Sequence, residues 1–178
     1  MASLNGISIR GLKSTEGPEG IVWSGELYLN DVKIGMWSND YYDGPDWFEL
    51  LPGYDEGKLK AEIQKQYPEW EICPTEIFMG RLVDLILEEQ LFSRVNKNSG
   101  RILLSMGDGY HGVHIEVPRE YLTLSDEEIL EKEAALIKAA SKKLLPETEE
   151  IKHEIKIRRK PEDFCEGDTI MLDAIRKS

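Results

Sequence analysis

The segment Asn39–Glu56, NDYYDGPDWFELLPGYDE, concentrates side chains that suit recognition of another protein. It holds six carboxylates and five aromatic rings, with no lysine or arginine. Carboxylates attract a basic surface over a distance, and aromatic rings supply rigid apolar contact area once two surfaces meet. This composition predicts a site for a basic protein surface, and the alternative is a solvated loop that Trp47 and Phe48 anchor to the core. The candidate partner-binding residues are Asp40, Tyr42, Asp43, Asp46, Trp47 and Glu49.

Three further side chains have the chemistry of metal ligands. Asp108, His111 and His114 lie around a predicted hairpin turn, and imidazole suits zinc and other transition metals. Residues three apart on a strand tend to face opposite sides, however, so we interpret them as turn and surface residues. The cysteines, Cys73 and Cys165, are far apart and form no CxxC motif. We therefore predict no metal site, no disulfide framework and no cofactor.

Glu154 and Lys156 place a carboxylate and an ammonium group on one face of a predicted strand. This spacing resembles the E-x-K element of the restriction-nuclease-like phosphodiesterases, which implies a nucleic-acid-processing enzyme as an alternative function. That family also uses an upstream metal-binding aspartate, usually within a Pro-Asp step. No nucleophile elbow, phosphate-binding glycine loop or dinucleotide fingerprint occurs in the sequence. We predict no catalytic residues and interpret the pair as part of a charged strand face.

A basic cluster surrounds the same strand and is the one basic patch in the sequence. A nucleic-acid contact and a solvated strand face are the two interpretations of this patch. The cluster consists of Lys152, Lys156, Arg158, Arg159 and Lys160.

The charge balance bounds the possible partners. The 178 residues contain 22 Lys+Arg against 34 Asp+Glu, a formal net charge of −12. Such a chain repels phosphate backbones, which argues against direct nucleic-acid binding and favours a basic protein as the target. No apolar run approaches the length of a membrane span, and the start, MASLNGISIRG, lacks a signal core. We expect a cytoplasmic protein without a membrane partner.

The acidic segment follows a predicted β-hairpin. VWSGELYL and VKIGMWS flank Asn30 and Asp31, a pair that tolerates the positive φ angles of a two-residue turn. If Leu29 opposes Val32 and the register continues unbroken, apolar side chains gather on one face. The predicted buried face consists of Leu27, Leu29, Val32 and Ile34.

The remaining pattern predicts an α+β fold with antiparallel sheets. Apolar periodicity indicates a central helix of about 76–96, and the capping box formed by Ser125 and Glu128 begins a second long helix of about 126–144. A second hairpin follows the first of these helices, and an alternating strand precedes the carboxy terminus. We predict one domain over 1–178. Its three regions are an acidic hairpin region 1–56, a helical and second hairpin region 57–145, and a carboxy-terminal strand region 146–178.

One segment carries a resemblance that bears on biological context. Gly25–Pro45, with its core LYLNDVKIGMWSND, resembles the LYxDGxKxGxxSND hairpin of small uncharacterised proteins of bacteriophages and prophages. That resemblance implies a phage-associated protein in the cytoplasm of a bacterial host. A small acidic phage protein is in turn similar to anti-defence inhibitors, the anti-CRISPR and anti-restriction proteins, which act as DNA mimics. The implied function is stoichiometric inhibition of a host nucleic-acid-binding defence protein, and a phage structural or housekeeping role is a further alternative.

Overall fold

The computed structural model describes residues 1–17, 20–39, 45–68, 73–99, 102–107, 112–144 and 155–177. These residues form an α+β fold, which confirms the predicted class. The strands are β1 Ser3–Leu4, β2 Ile7–Gly17, β3 Gly20–Leu29, β4 Val32–Ser38, β5 Trp47–Leu50, β6 Ile102–Gly107, β7 Gly112–Val117, β8 Ile155–Arg158 and β9 Cys165–Glu166. The α-helices are α1 Glu56–Gln66, α2 Pro74–Ser99, α3 Asp126–Lys132 and α4 Ala134–Leu144. No helix in the described part of the chain is long and apolar enough to cross a bilayer.

The strands form two sheets. The larger has six strands in the order β5-β4-β3-β2-β1-β9, and the smaller has three in the order β7-β6-β8. All pairs are antiparallel except β1 with β9, so the larger sheet is mixed rather than purely antiparallel as predicted. The parallel pair arises because the carboxy-terminal segment satisfies the free backbone edge of β1, where Asn5 donates its N–H to the carbonyl of Glu166 at 2.7 Å.

The turn of the first hairpin has the predicted form. Asn30 and Asp31 adopt φ angles of 50° and 65°, as a two-residue turn with the twist of the flanking strands requires. Leu29 opposes Val32 across this turn, as predicted. Asn30 also donates its side-chain amide to the carbonyl of Ile170 at 2.9 Å, which ties the turn to the carboxy-terminal segment.

The register beyond the turn differs from the prediction. A bulge at Ile34 of β4, opposite the step between Leu27 and Tyr28, shifts the pairing, so that Leu27 opposes Gly35 instead of Ile34. Leu27, Leu29 and Ile34 are fully buried, as predicted, but Val32 is 42% exposed, and its assignment to the core is wrong. The shift buries Trp37 and turns Met36 outward.

The helices lie where the sequence predicts them, but their bounds differ from the predicted ones. α2 covers the predicted central helix of 76–96 and is longer at both ends. The predicted helix of 126–144 is two helices, because Glu133 adopts φ −96° and ψ 8° between α3 and α4. The capping box is confirmed: Ser125 Oγ accepts from the N–H of Glu128 at 3.2 Å, and Glu128 Oε2 accepts from the N–H of Ser125 at 2.8 Å.

The chain separates into two compact units. Unit 1 comprises Met1–Ile86 and Cys165–Ser178, with the larger sheet, α1 and the first half of α2. Unit 2 comprises Leu87–Phe164, with the smaller sheet, α3 and α4. The single domain over 1–178 stays a prediction, because two contact units can still fold as one cooperative domain.

The smaller sheet of unit 2 has an apolar face and a polar face. Leu104 on β6 packs in a core with Val117 and Ile129, which confirms the predicted second hairpin as a folded element. Successive side chains of a strand alternate between faces, so Ser105 lies on the opposite side of β6 from Leu104. His114 opposes Ser105 across the ladder, so the hydroxyl and imidazole groups of these two residues lie on the polar face.

Candidate functional site

The candidate partner-binding residues do not all share one environment. Asp40, Tyr42 and Asp43 lie outside the described residues, so their place in the site stays a prediction. The other three lie at or immediately before β5, one of the two edge strands of the larger sheet. The geometry of the site is therefore the geometry of this strand.

Alternation along β5 separates an outward face from an inward one. Trp47 is 61% exposed, Leu51 is 43% exposed and Glu49 is exposed, whereas Phe48 and Leu50 between them are half-buried. Lys60 of α1 lies 5.5 Å from the ring centroid of Phe48, so the inward face of β5 is the one that faces this helix. Two predicted contact residues, Trp47 and Glu49, thus share one solvent-facing side.

The outward face of β5 continues onto β4. Glu49 opposes Met36 in the ladder, and Met36 is 39% exposed. We call these four neighbouring residues the β5 patch: Met36, Trp47, Glu49 and Leu51. The patch joins three large apolar side chains to one carboxylate, a composition suited to an anchor in a protein interface. Met36 was not among the predicted contacts, because the unbulged register assigns it to the core.

Asp46 is buried on the other side of the chain and is not a surface charge. Only 7% of the residue is exposed, so it lies away from the β5 patch and cannot share a partner docked there. Strand alternation explains the difference, since the residue before Trp47 must point inward if Trp47 points outward. The sequence predicts exposed carboxylates throughout this segment, and that prediction is wrong for Asp46.

Burial raises the pKa of Asp46 from its usual 3.8 to about 7. The indole of Trp37 and the ammonium of Lys60 favour the ionised form and lower this pKa, whereas the carboxylate of Glu76 raises it further. Trp37 lies close enough to Asp46 to influence its pKa. Within the described ranges, however, neither Trp37 Nε1 nor Asp46 Oδ2 makes a well-formed hydrogen bond. Asp46 is therefore partly neutral at pH 7.

The sheet face beyond the β5 patch is electrically balanced. Glu26 pairs with Lys33 and accepts a hydrogen bond from the hydroxyl of Tyr28 at 3.0 Å. The hydrogen bonds from Lys33 and Tyr28 lower the pKa of Glu26. Arg10 lies 3.9 Å from the ring centroid of Tyr28 and pairs with Asp31. The charges within these two pairs neutralise one another.

A second polar group lies in unit 2 and was not predicted. Glu88 of α2 contacts Arg158 of β8, whose nitrogen lies 3.1 Å from Glu88 Oε2, and His114 of β7, whose Nε2 lies 3.4 Å from Glu88 Oε1. Ser105 of β6 is buried beside them. The sequence indicates Glu88 as part of a polar helical stripe, but only the packing of α2 against the sheet brings these side chains together.

Glu88 is held in its charged form. Burial alone would raise the pKa of Glu88, but the hydrogen bond from His114 and the positive charge of Arg158 outweigh it and lower the pKa. Ser105 also favours the charged form, although its Oγ makes no well-formed hydrogen bond to any described residue. Glu88 and Arg158 form a largely buried ion pair.

The other candidate catalytic and metal residues are only partly described. Asp108, His111 and Glu154 lie outside the described residues, so neither the metal set nor the E-x-K pair is placed. His114 pairs with Glu88, and Lys156 opposes Ser105 in the smaller sheet. Where side chains are described, no three of His, Cys, Asp and Glu lie together in a way that could hold a metal ion.

Two arginines of the basic cluster make contacts within unit 2, and Lys152 of this cluster lies outside the described residues. Arg158 is 5% exposed, and its guanidinium lies 4.8 Å from the ring centroid of Phe164. Arg159 pairs with Asp126 and donates to the carbonyl of Leu124 at 2.9 Å. These two arginines therefore do not form an open basic surface for nucleic acid.

Comparisons of the chain with protein-family models, with curated proteins and with solved structures found no match.

Proposed function

We propose that this chain is a binding protein that docks stoichiometrically on a basic surface of another protein through the β5 patch and residues 40–44. The observation that carries the proposal is the side chain of Trp47, which is 61% exposed on an edge strand next to the exposed carboxylate of Glu49. Indole rings dominate the binding energy of many interfaces, because they bury a large area at a low entropic cost. The contacts in this proposal are Met36, Trp47, Glu49 and Leu51, with Asp40, Tyr42 and Asp43 as additional predicted contacts.

The charge and the apolar surface of the chain affect different steps of binding in this proposal. The net charge of −12 attracts a basic partner over long range and speeds association. The apolar side chains of the β5 patch slow dissociation once the surfaces are in contact. Asp46 contributes to neither step, because it is buried and partly neutral at pH 7.

The proposed target is a nucleic-acid-binding protein of a bacterial host. Such proteins present basic surfaces to phosphate, and an acidic chain that covers that surface excludes the nucleic acid. The phage-like hairpin of residues 25–45 supports this biological setting, and inhibition of a defence nuclease in the manner of anti-CRISPR or anti-restriction proteins is the corresponding function. The predicted place of action is the bacterial cytoplasm.

The experiment uses the immobilised chain to capture proteins from a bacterial lysate at low salt, followed by binding kinetics with each captured protein. We expect the association rate to fall between low and physiological ionic strength, because exposed charges are screened over about 8 Å at 0.15 M salt. Glu49→Lys should lower the association rate. Trp47→Ala should mainly raise the dissociation rate and weaken binding by about 2 kcal/mol.

Two control variants carry the same chemical changes on exposed positions of unit 2. Glu131→Lys changes the net charge as Glu49→Lys does, and Leu136→Ala truncates an apolar side chain that is 54% exposed. Leu136→Ala should bind like the parent, and Glu131→Lys should lower the association rate less than Glu49→Lys does. If Trp47→Ala and Glu49→Lys also bind like the parent, the β5 patch is not the interface and the proposal is wrong.

A further inference from the structure

The strand β5 has one free edge. It ends the six-stranded sheet, and within the described ranges only β4 pairs with it. An edge strand exposes a row of backbone N–H and C=O groups that can pair with a strand from another chain. Which residues offer these groups follows from the hydrogen-bond pattern.

One hydrogen bond fixes the direction of the backbone groups of β5. Leu51 donates its N–H to the carbonyl of Ile34 at 2.8 Å, so this residue pair is hydrogen-bonded. In an antiparallel ladder, hydrogen-bonded pairs alternate with pairs whose backbone groups point away from each other. Glu49 therefore bonds to β4, whereas Phe48 and Leu50 direct their N–H and C=O groups to the free edge.

The opposite side of β4 gives the same assignment independently. Asn39 donates its N–H to the carbonyl of Trp23 on β3 at 3.1 Å. Alternation from Asn39 directs the backbone groups of Met36 and Ser38 away from β3 and toward β5. These are the partners of Glu49 and Trp47 in the β5 ladder, so two hydrogen bonds on different strands agree.

We infer that β5 accepts an extended basic segment of the partner as an additional strand of the sheet. The inference rests on the proposed function and specifies its geometry. The added strand would exchange hydrogen bonds with Phe48 and Leu50, while its side chains on the outward face would lie beside Trp47 and Glu49. Backbone pairing of this kind supplies affinity, and the alternate side chains supply specificity.

Charge selects a basic segment over a second copy of this chain. Glu49 is exposed and has no ion-pair partner in the described part of the structure, so a lysine or arginine opposite it would form a cross-strand pair. Two copies would instead bring together chains of net charge −12 each. Pro45 and Pro52 flank β5 and cannot donate backbone hydrogen bonds, so the added strand is short.

The test uses three synthetic probes of defined chemistry with the unmodified protein. The first is a cyclic β-hairpin peptide with lysine and valine alternating along its free strand. The second is the same peptide with backbone N-methyl groups at the positions that would donate hydrogen bonds to β5. The third has glutamate in place of lysine. Nuclear magnetic resonance measures the affinity of each probe and the hydrogen-exchange rates of the Phe48 and Leu50 amides.

We expect the lysine hairpin to slow exchange at Phe48 and Leu50, and N-methylation to weaken its binding by about tenfold or more, since several hydrogen bonds are lost. The glutamate hairpin should bind more weakly than the lysine hairpin. Protection of the same two amides in the protein alone, with a concentration-dependent dimer, would make a second copy the occupant and overturn the inference.

Failure of this inference is distinguishable from failure of the proposed function. If the two basic hairpins bind equally well and leave the exchange of both amides unchanged, strand addition is wrong while recognition of a basic surface is retained. If neither basic hairpin binds, strand addition is also wrong. The kinetics of Trp47→Ala with captured proteins then decide the proposed function separately.

Discussion

At the scale of single residues, Asp46 shows how position on a strand overrides the composition of its segment. It lies among other carboxylates in the sequence, but the alternation of β5 directs it into unit 1 beside Trp37. Burial makes its charged form costly, so its pKa rises to about 7. This residue should couple the stability of the fold to pH.

Replacement of Asp46 tests this coupling. Between its usual pKa of 3.8 and the folded value of about 7, the folded state holds a proton that the unfolded state has released. Stability should therefore fall as pH rises through this range and level off above it, by roughly 4 kcal/mol at most. Asp46→Asn should remove this contribution to the slope and be more stable than the parent at pH 8. Urea unfolding at several pH values measures both effects.

The matched control is Asp173→Asn, which changes the same group where the side chain is 83% exposed. Its stability should follow the pH dependence of the parent. A parent-like slope in Asp46→Asn as well would mean that Asp46 is not the titrating group.

The contribution of Glu88 to the stability of the fold depends on pH in the opposite direction to that of Asp46. Its pKa is lowered in the folded state, so its contribution to stability is present above the usual value of 4.5 and is lost as pH falls through the folded value. Glu88→Gln should lower the free energy of unfolding at pH 7 by about 3 kcal/mol, because it leaves the buried Arg158 without its carboxylate. The deficit should shrink at acidic pH, as measured by urea unfolding.

Glu131→Gln is the control for this change, because Glu131 is an exposed carboxylate of the same unit. It should cost less than about 0.5 kcal/mol. An equally small cost for Glu88→Gln would show that the ion pair with Arg158 does not contribute to stability.

At the scale of elements, the first hairpin shows that the predicted register does not by itself decide burial. Ile34 is fully buried, whereas Val32, beside the turn, is 42% exposed, although the predicted register places both on the core face. Ile34→Ala should therefore cost about 2–5 kcal/mol, whereas Val32→Ala should cost less than about 1 kcal/mol. Thermal or urea unfolding of the two variants measures the difference. Equal, large losses in both would show that Val32 belongs to the core.

The helices were more predictable than the strand register. Apolar periodicity predicts α2, and the Ser125 capping box predicts the start of α3, because both signals depend on residues a few positions apart. The distortion at Glu133 carries no comparable local signal. A bulge is likewise set by packing between strands, so its position at Ile34 could not be predicted from the hairpin alone.

At the scale of the whole molecule, no metal is expected to stabilise the fold. The described residues hold no group of three or more potential ligands, and Asp108 and His111 of the predicted turn lie outside them. Dialysis against a chelator should leave the melting temperature unchanged, because a structural metal contributes its binding free energy to folding. A fall of many degrees, restored by zinc, would indicate a site that includes His114.

The sequence by itself determined the α+β class, the turn at Asn30 and Asp31, the two helical regions and the acidic charge. These features depend on composition and on contacts between near neighbours in the chain. Only the tertiary structure decided that Trp47 and Glu49 face outward while Asp46 is buried, and that Glu88 meets Arg158. Burial and pairing of this kind depend on which distant segments pack together, and local periodicity contains no information about that choice.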